Sequence, residues 1–502
     1  MKRTATTVLA ALTLLALVGL LGRAPNHSAP PVHAVRVPDR GEAATGVCGA
    51  VAATRVQTRN VNLITSDGHM PDRGGCATPQ NEPALAIDPR DPATVVVSGN
   101  DFRLCCDFTG AFDSTGWVYV SRDGGVTWAN ALVRGLTRGT GGRGTFGRFD
   151  VSEDPALAFA PDGTLYYVCI VFASDTAASG IAFASSTDGG ATWSAPRLLQ
   201  YTHDTRVFND KGWVAAGDDG RVAVTWTRFQ RDGYTGRAFV EGALSWDGGA
   251  TWKRPVALSD YVHVASWGAT PLWAHDGTLY TVFDTSRALG ARDAVSVSLY
   301  RPGARLVERD LARVYDDDDC FAVNRYLRQT LTGEAFRISS LPAAAIDPAS
   351  QTVAIAWADG ERGCTPGRTP RATNSQIKLV FVHGTHASRA RIVTSGAEKA
   401  LPSVDYRDGK VVLGYYTRSF ATVECSHAGR AVCLDYAYST SGDGFAAEHR
   451  LSDGSSNPFD QFAGTFIGDY SAPAIGPDGV AYAACTDSRG GDQNVFGATF
   501  TP

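Results

Sequence analysis

Ser121-Arg-Asp-Gly-Gly-Val-Thr-Trp128, Ser186-Thr-Asp-Gly-Gly-Ala-Thr-Trp193 and Ser245-Trp-Asp-Gly-Gly-Ala-Thr-Trp252 are nearly one octapeptide written three times. Each carries the chemistry of a tight hairpin. The Ser and Asp side chains can accept from backbone N–H groups inside the turn, and Asp-Gly-Gly supplies the positive-φ positions it needs. The Thr restarts an extended strand, and the Trp fills the space beside the next sheet. The copies recur at intervals of about 60 residues, a period that belongs to arrays of repeated sheets and not to one isolated hairpin. A degenerate fourth copy, Ser441-Gly-Asp-Gly-Phe445, lacks the second Gly and the Trp.

A second repeat runs underneath the first. It consists of a Pro or small residue, an apolar strand, an Asp-Gly or Asp-Pro turn, and a strand rich in Val, Tyr and Trp. It begins at Glu82-Pro-Ala-Leu-Ala-Ile-Asp88, Asp154-Pro-Ala-Leu-Ala-Phe159, Lys211-Gly-Trp-Val-Ala215 and Thr270-Pro-Leu-Trp-Ala274. It recurs at Leu341-Pro-Ala-Ala-Ala-Ile-Asp347, Leu401-Pro-Ser-Val-Asp405 and Tyr470-Ser-Ala-Pro-Ala-Ile475. Each unit has room for four strands of ordinary length. The last runs out after three, ending with Asn494-Val-Phe-Gly-Ala-Thr-Phe500, and a spare segment, Arg59-Asn-Val-Asn-Leu-Ile-Thr65, precedes the first. The expected fold is therefore all-β: a closed β-propeller of seven four-stranded blades over residues 46–502, its N-terminal strand completing the last blade and removing an exposed edge. If two units share a blade, the count is six.

Composition agrees. The chain has 502 residues, 54 of them Gly, with 10% aromatic and 44% hydrophobic residues, which suits many short strands and a large core. A net charge of −5 argues against a nucleic-acid partner, which needs clustered Lys and Arg. Met1-Lys-Arg precedes an apolar run from Thr7 to Leu21, too short for a membrane span and shaped like an export signal over residues 1–24, with a linker over 25–45. Secretion, and no membrane attachment after cleavage, is the expectation. Ten cysteines in an exported chain then suggest disulfides: Cys425 with Cys433 first, Cys320 with Cys364, and Cys76 with Cys105 or Cys106. Nothing of zinc-finger type is present, and His203, His263 and His275 read as structural.

The pattern Ser-x-Asp-x-Gly-x-Thr-Trp resembles the Asp-box of the sialidase-like propellers, a fold signature without catalytic role. Phe336-Arg-Ile-Ser339 resembles that family's Phe/Tyr-Arg-Ile-Pro motif, with Ser339 in place of Pro. Ala356-Trp-Ala-Asp-Gly-Glu-Arg362 stands against its Ala-Phe-Ala-Glu-Gly-Arg. The resemblance implies an active site on the face opposite the Asp-boxes, where the strand two–three loops and the inter-blade links lie. It implies retaining hydrolysis of a sialoside or another glycoside, with Arg337, Arg418 and Arg489 gripping a carboxylate. Tyr470 would be the nucleophile, Glu398 or Glu153 its activator, and Asp359 the acid/base. The partner would be an extracellular glycan or glycoprotein bound by a monomer, with no cofactor.

Other readings stand beside this one. Asp101-Phe-Arg103, Asp284-Thr-Ser-Arg287, Asp359-Gly-Glu-Arg362 and Asp487-Ser-Arg489 repeat an Asp followed by an Arg at the ends of second strands. These pairs are either rim salt bridges or, with Arg103 and Arg287 added to the set above, a converging anion site. A non-catalytic propeller that binds glycan or protein is the alternative function, with Trp117, Trp267, Trp273 and Tyr470 available for stacking. An enzyme gathers a carboxylate, a Tyr and Arg side chains in one central pocket, whereas a binding module leaves its Arg paired off around a wide mouth. Asp316-Asp-Asp-Asp319 invites a structural calcium, although it lacks the alternating spacing of a dedicated loop.

Overall fold

The computed structural model describes residues 61–63, 79–103, 114–232, 235–260, 263–286, 293–314, 322–324, 329–339, 341–360, 375–420, 425–427, 430–460 and 462–502. The expected export segment and linker, Arg287, Asp316–Asp319, Cys76, Cys105, Cys106, Cys320 and Cys364 lie outside them. Among the described residues the protein is all-β, with only single-turn 3-10 segments besides strands. None of the described helices is long and apolar enough to cross a membrane.

The strands fall into successive antiparallel meanders. The first unit is Gln80–Ile87, Val95–Asp101, Thr115–Ser121 and Ala129–Leu132; the second is Val151–Phe159, Leu165–Phe172, Ser179–Ser186 and Arg197–Thr202. The third, Val207–Ala216 through Val256–Ala257, joins the fourth, Ala265–Trp273 through Val307–Arg313, by a single parallel contact between Ala238 and Ala265. A fifth unit starts at Ala343–Ile346 and a sixth at Lys399–Arg407. The seventh is Ala472–Ile475, Ala481–Asp487 and Asn494–Phe500, and its outer partner is Val61–Asn62 from the other end of the chain. The N-terminal strand therefore sits where the sequence places it.

Apolar cores lie between consecutive units. Val96, Val118 and Leu136 pack on Leu165, Tyr167 and Val171 between the first and second. Val412, Tyr416 and Tyr436 pack on Ala483, Cys485 and Phe496 between the sixth and seventh. Leu63, Tyr482 and Val495 of the seventh pack on Val95, Val97 and Tyr119 of the first, so the two ends of the array share a core.

The three octapeptides each join a third strand to a fourth and repeat one set of contacts. In the third copy Ser245 Oγ donates to Asp247 Oδ1 at 2.8 Å and accepts from Gly249 N at 2.9 Å. Thr251 donates from its N–H at 2.8 Å and from its hydroxyl at 2.6 Å to the Asp247 carboxylate, holding that carboxyl down to about 2. The Trp252 ring then lies 4.9 Å from Phe183 of the preceding unit. Gly248 N donates to Gly220 O at 2.9 Å, which places this octapeptide at the end of the sheets that carries the strand one–two turns.

Cys425 and Cys433 form a disulfide, while Cys169 and Cys485 are buried in the core. The connection from the fourth to the fifth unit travels far from its own boundary. Its Leu331, Phe336 and Ile338 are buried in the core between the sixth and seventh units.

Candidate functional site

The innermost strand of five units breaks register at one equivalent place: between Asn81 and Ala84, Glu153 and Ala156, Asp210 and Trp213, Trp267 and Thr270, and Ala400 and Ser403. One residue in each break takes the left-handed conformation: Glu82 at φ 55°, Asp154 at 54°, Lys211 at 52°, Gly268 at 70° and Leu401 at 52°. Only Gly adopts that region without cost, and strained non-Gly residues of this kind concentrate where side chains must be aimed at a ligand or at each other. The breaks lie near the starts of the first strands, away from the Asp-box end. Here they turn Glu82, Asp154 and Lys211 toward one another.

Lys211 Nζ stands 2.8 Å from Asp469 Oδ2, 3.7 Å from Asp154 Oδ1 and 3.8 Å from Glu82 Oε1. Arg337 closes a two-pronged pair on Asp469, Nε to Oδ1 at 2.9 Å and Nη2 to Oδ2 at 2.8 Å, and its guanidinium lies over the Phe466 ring. Asp469 N donates to Glu82 Oε1 at 2.8 Å. Asn100 ties first unit to second, donating to Glu82 Oε2 at 2.6 Å and accepting from Asp154 N at 2.8 Å. Tyr470 Oη donates to Asp154 Oδ1 at 3.3 Å, and its ring lies 5.1 Å from Trp213. Of this cluster Asp154, Lys211, Asp469 and Tyr470 reach a cavity of ≈ 60 Å³, which Trp213 and Leu341 also line. That is room for a few waters, well short of the roughly 300 Å³ needed to enclose a small-molecule ligand. Tyr470 and Trp213 are half-buried at its rim.

The carboxyls divide into two groups. Burial, and then the Asp154 charge, pushes Asp210 up to about 8 and Glu153 up to about 7. Burial likewise lifts Glu82 well above the carboxylate range. Asp154 stays below that range although burial opposes it, because Lys211 and hydrogen bonds from Glu82 and Asp210 favour its anion. Asp469 is held lower against the same opposition by Arg337 and Lys211. Tyr470 is raised well above its ordinary value by burial and by Asp154. At neutral pH two anions, Asp154 and Asp469, face two cations, while Asp210 and Glu82 hold protons and Glu153 is divided between its two forms. Environments that drive adjacent acids apart in this way are the arrangement acid–base chemistry uses.

The structure brings Tyr470 and Arg337 together here, with Glu153 beside them. It places the other expected residues elsewhere. Glu398 accepts from Thr332 N at 2.9 Å and pairs with Arg418 at 2.6 Å, and Arg418 also pairs with Glu334. Asp359 is buried against Lys378 at 2.6 Å and Trp357 Nε1 at 3.2 Å. Arg489 pairs with Asp487 at 2.6 Å and with Asp453. Arg103 pairs with Asp101 at 2.8 Å beneath Trp117. Arg103 is held by one carboxylate and Arg418 and Arg489 by two each, and none is joined to Arg337 among the described contacts. Trp267 Nε1 donates to Asp284, and Trp273 is buried in the core between the third and fourth units. Sequence reading passed over Glu82, Asp154, Asp210, Lys211 and Asp469 as site residues. Aligning the repeat starts would have found three of them, since Glu82, Asp154 and Lys211 occupy one register position where Gly268 and Leu401 also fall.

No protein-family model matches this chain, and no curated protein matches it. Among solved structures it is similar to an α-L-arabinanase of Penicillium chrysogenum complexed with arabinobiose, at 11% identity and TM-score 0.45 over 88% of this chain and 97% of that one. It is also similar to the Hadza microbial sialidase Hz136, at 14% identity and TM-score 0.44 over 73% and 68% of the two chains. An ulvan lyase of the PL25 family shows 11% identity and TM-score 0.46 over 72% and 81%. At that level of likeness, function has to come from the site itself.

Proposed function

We propose that this chain is an exported, monomeric propeller of the sialidase-like kind, closed as seven blades, that hydrolyses an extracellular glycan at the Asp154–Tyr470 cavity. The observation that carries the reading is an ionised Asp154 in contact with Tyr470 and hydrogen-bonded to Asp210, which keeps its proton to about 8. Glycoside cleavage needs such a division between a proton donor and an anion. Tyr470 Oη attacks the anomeric carbon and passes its proton to Asp154 while Asp210 protonates the departing oxygen. A water then releases the sugar by the reverse path. Trp213 and Tyr470 offer aromatic faces at the rim, and the small cavity admits only the reacting end of the substrate.

Substrate charge follows from the pairing. Asp469 occupies both prongs of Arg337 and also holds Lys211, so an incoming carboxylate would have to displace a buried one. That favours a neutral glycan over a sialoside. The pairing of Arg103, Arg418 and Arg489 with carboxylates favours, as a second reading, a non-catalytic glycan-binding propeller. The test is turnover of fluorogenic neutral glycosides, a sialoside and a uronide by the mature chain and by Asp154→Asn and Tyr470→Phe. Cleavage of a neutral glycoside that falls at least a hundredfold in both variants supports the proposal. Sialoside cleavage would overturn the substrate class, and silence across the panel would leave the binding reading.

A further inference from the structure

Away from that cavity, Asp260 and His263, between the third and fourth units, meet Glu308 on the fourth unit's outer strand, Val307–Arg313. His263 is 2% exposed there, and two carboxylates meet the same ring nitrogen: Asp260 Oδ1 lies 2.7 Å and Glu308 Oε1 2.9 Å from Nδ1. All three donor atoms fall within 4.8 Å of one another. Asp260 N donates to Glu308 Oε2 at 2.6 Å, which fixes the second carboxylate with its other oxygen toward the imidazole. The two oxygens therefore converge on one nitrogen, Glu308 from the buried side and Asp260 from the solvent side. Two carboxylates and an imidazole converging in this way make the donor set of a dication.

We propose that Asp260, His263 Nδ1 and Glu308 bind one Zn²⁺ per chain. Widening the two contacts by about half an ångström gives the donor spacing of an ion held at 2.0–2.2 Å. The nitrogen donor selects zinc over calcium, which takes oxygen ligands. Asp260, with 40% of its side chain exposed, opens the fourth position to water. Bound there, the ion clips the inter-unit link to an outer strand and stabilises the fold without touching the Asp154–Tyr470 cavity.

Chelator-treated full-length protein should be titrated with ZnCl₂ and with CaCl₂ by calorimetry and thermal melting, and with Co²⁺ by visible absorption. One equivalent of Zn²⁺, a rise of several degrees in Tm, no response to calcium and a Co²⁺ band with nitrogen–oxygen character are expected. Asp260→Asn, a change at the half-exposed ligand that spares packing, should weaken Zn²⁺ at least tenfold, and Glu308→Gln should do the same. Absence of zinc heat and of a Tm shift in the wild-type chain overturns the proposal. So does undiminished binding in both variants, which would locate the ion elsewhere.

Discussion

Arg337 and Asp469 are 132 residues apart in sequence and meet in a two-pronged pair, with both nitrogen–oxygen distances under 3 Å. The pair exists because the link preceding the fifth unit is anchored by Phe336 and Ile338 in the core between the sixth and seventh units. Those two apolar neighbours bury themselves on one side of the segment and leave Arg337 on the other. Lys211 shares the same carboxylate, so Asp469 is the common counter-ion of both cations in the cluster.

Removing that counter-ion should be costly. Asp469→Asn leaves two cations in a buried site, and breaking a buried pair from one side costs about 3–5 kcal/mol. Urea unfolding should show a loss of this size, and a loss under about 1 kcal/mol would mean that water enters the cluster freely.

Stability should fall as pH rises through neutrality. Asp210 and Glu153 have folded values of about 8 and about 7, above those of the unfolded chain, so the folded state binds more protons between them. Their contribution is complete below about pH 4 and is lost by about pH 8. Asp154 and Asp469 are depressed and act oppositely, withdrawing their contribution as pH drops below about 4. Melting temperature against pH should therefore peak on the acid side of neutrality, and Asp210→Asn should flatten the alkaline decline.

Two adjacent glycines of the first octapeptide should differ. Gly124 and Gly125 have φ of 72° and 93°, so either Ala pays a backbone penalty of about 1 kcal/mol. A Cβ on Gly124 meets nothing within 4 Å, whereas one on Gly125 lands 2.4 Å from the Tyr482 ring of the seventh unit. Gly125→Ala should cost about 2 kcal/mol more than Gly124→Ala by chemical denaturation. Equal costs would show that the Tyr482 ring moves aside.

The junction of the chain ends should be sensitive to one side chain. Leu63 is fully buried between the seventh and first units, and its N–H donates to Val495 O at 3.0 Å. Leu63→Ala should destabilise by about 2–4 kcal/mol. Deletion of the chain through Leu63 should expose the edge of Asn494–Phe500 and promote self-association, read by light scattering.

What the sequence determined by itself is the local chemistry. Ser245, Asp247, Gly249 and Thr251 satisfy one another within a single turn, so three octapeptides announce three hairpins wherever they stand. The repeated Pro-apolar starts mark the innermost strands for the same reason, since alternation and turn residues act over a few positions. The motif singles out Arg337 but not the carboxylate it meets, because the segment bearing it leaves its own unit to pack elsewhere. Glu398, Asp359 and Arg489 carry the right residue types, yet their nearest opposite charges hold them at other places. Only the tertiary structure decided which charges share the cluster. Glu82 reaches Asp469 across 387 residues and Tyr470 reaches Asp154 across 316. Contacts of that span are set by how the sheets pack around one another, and by register breaks that re-aim single side chains, which no local pattern encodes.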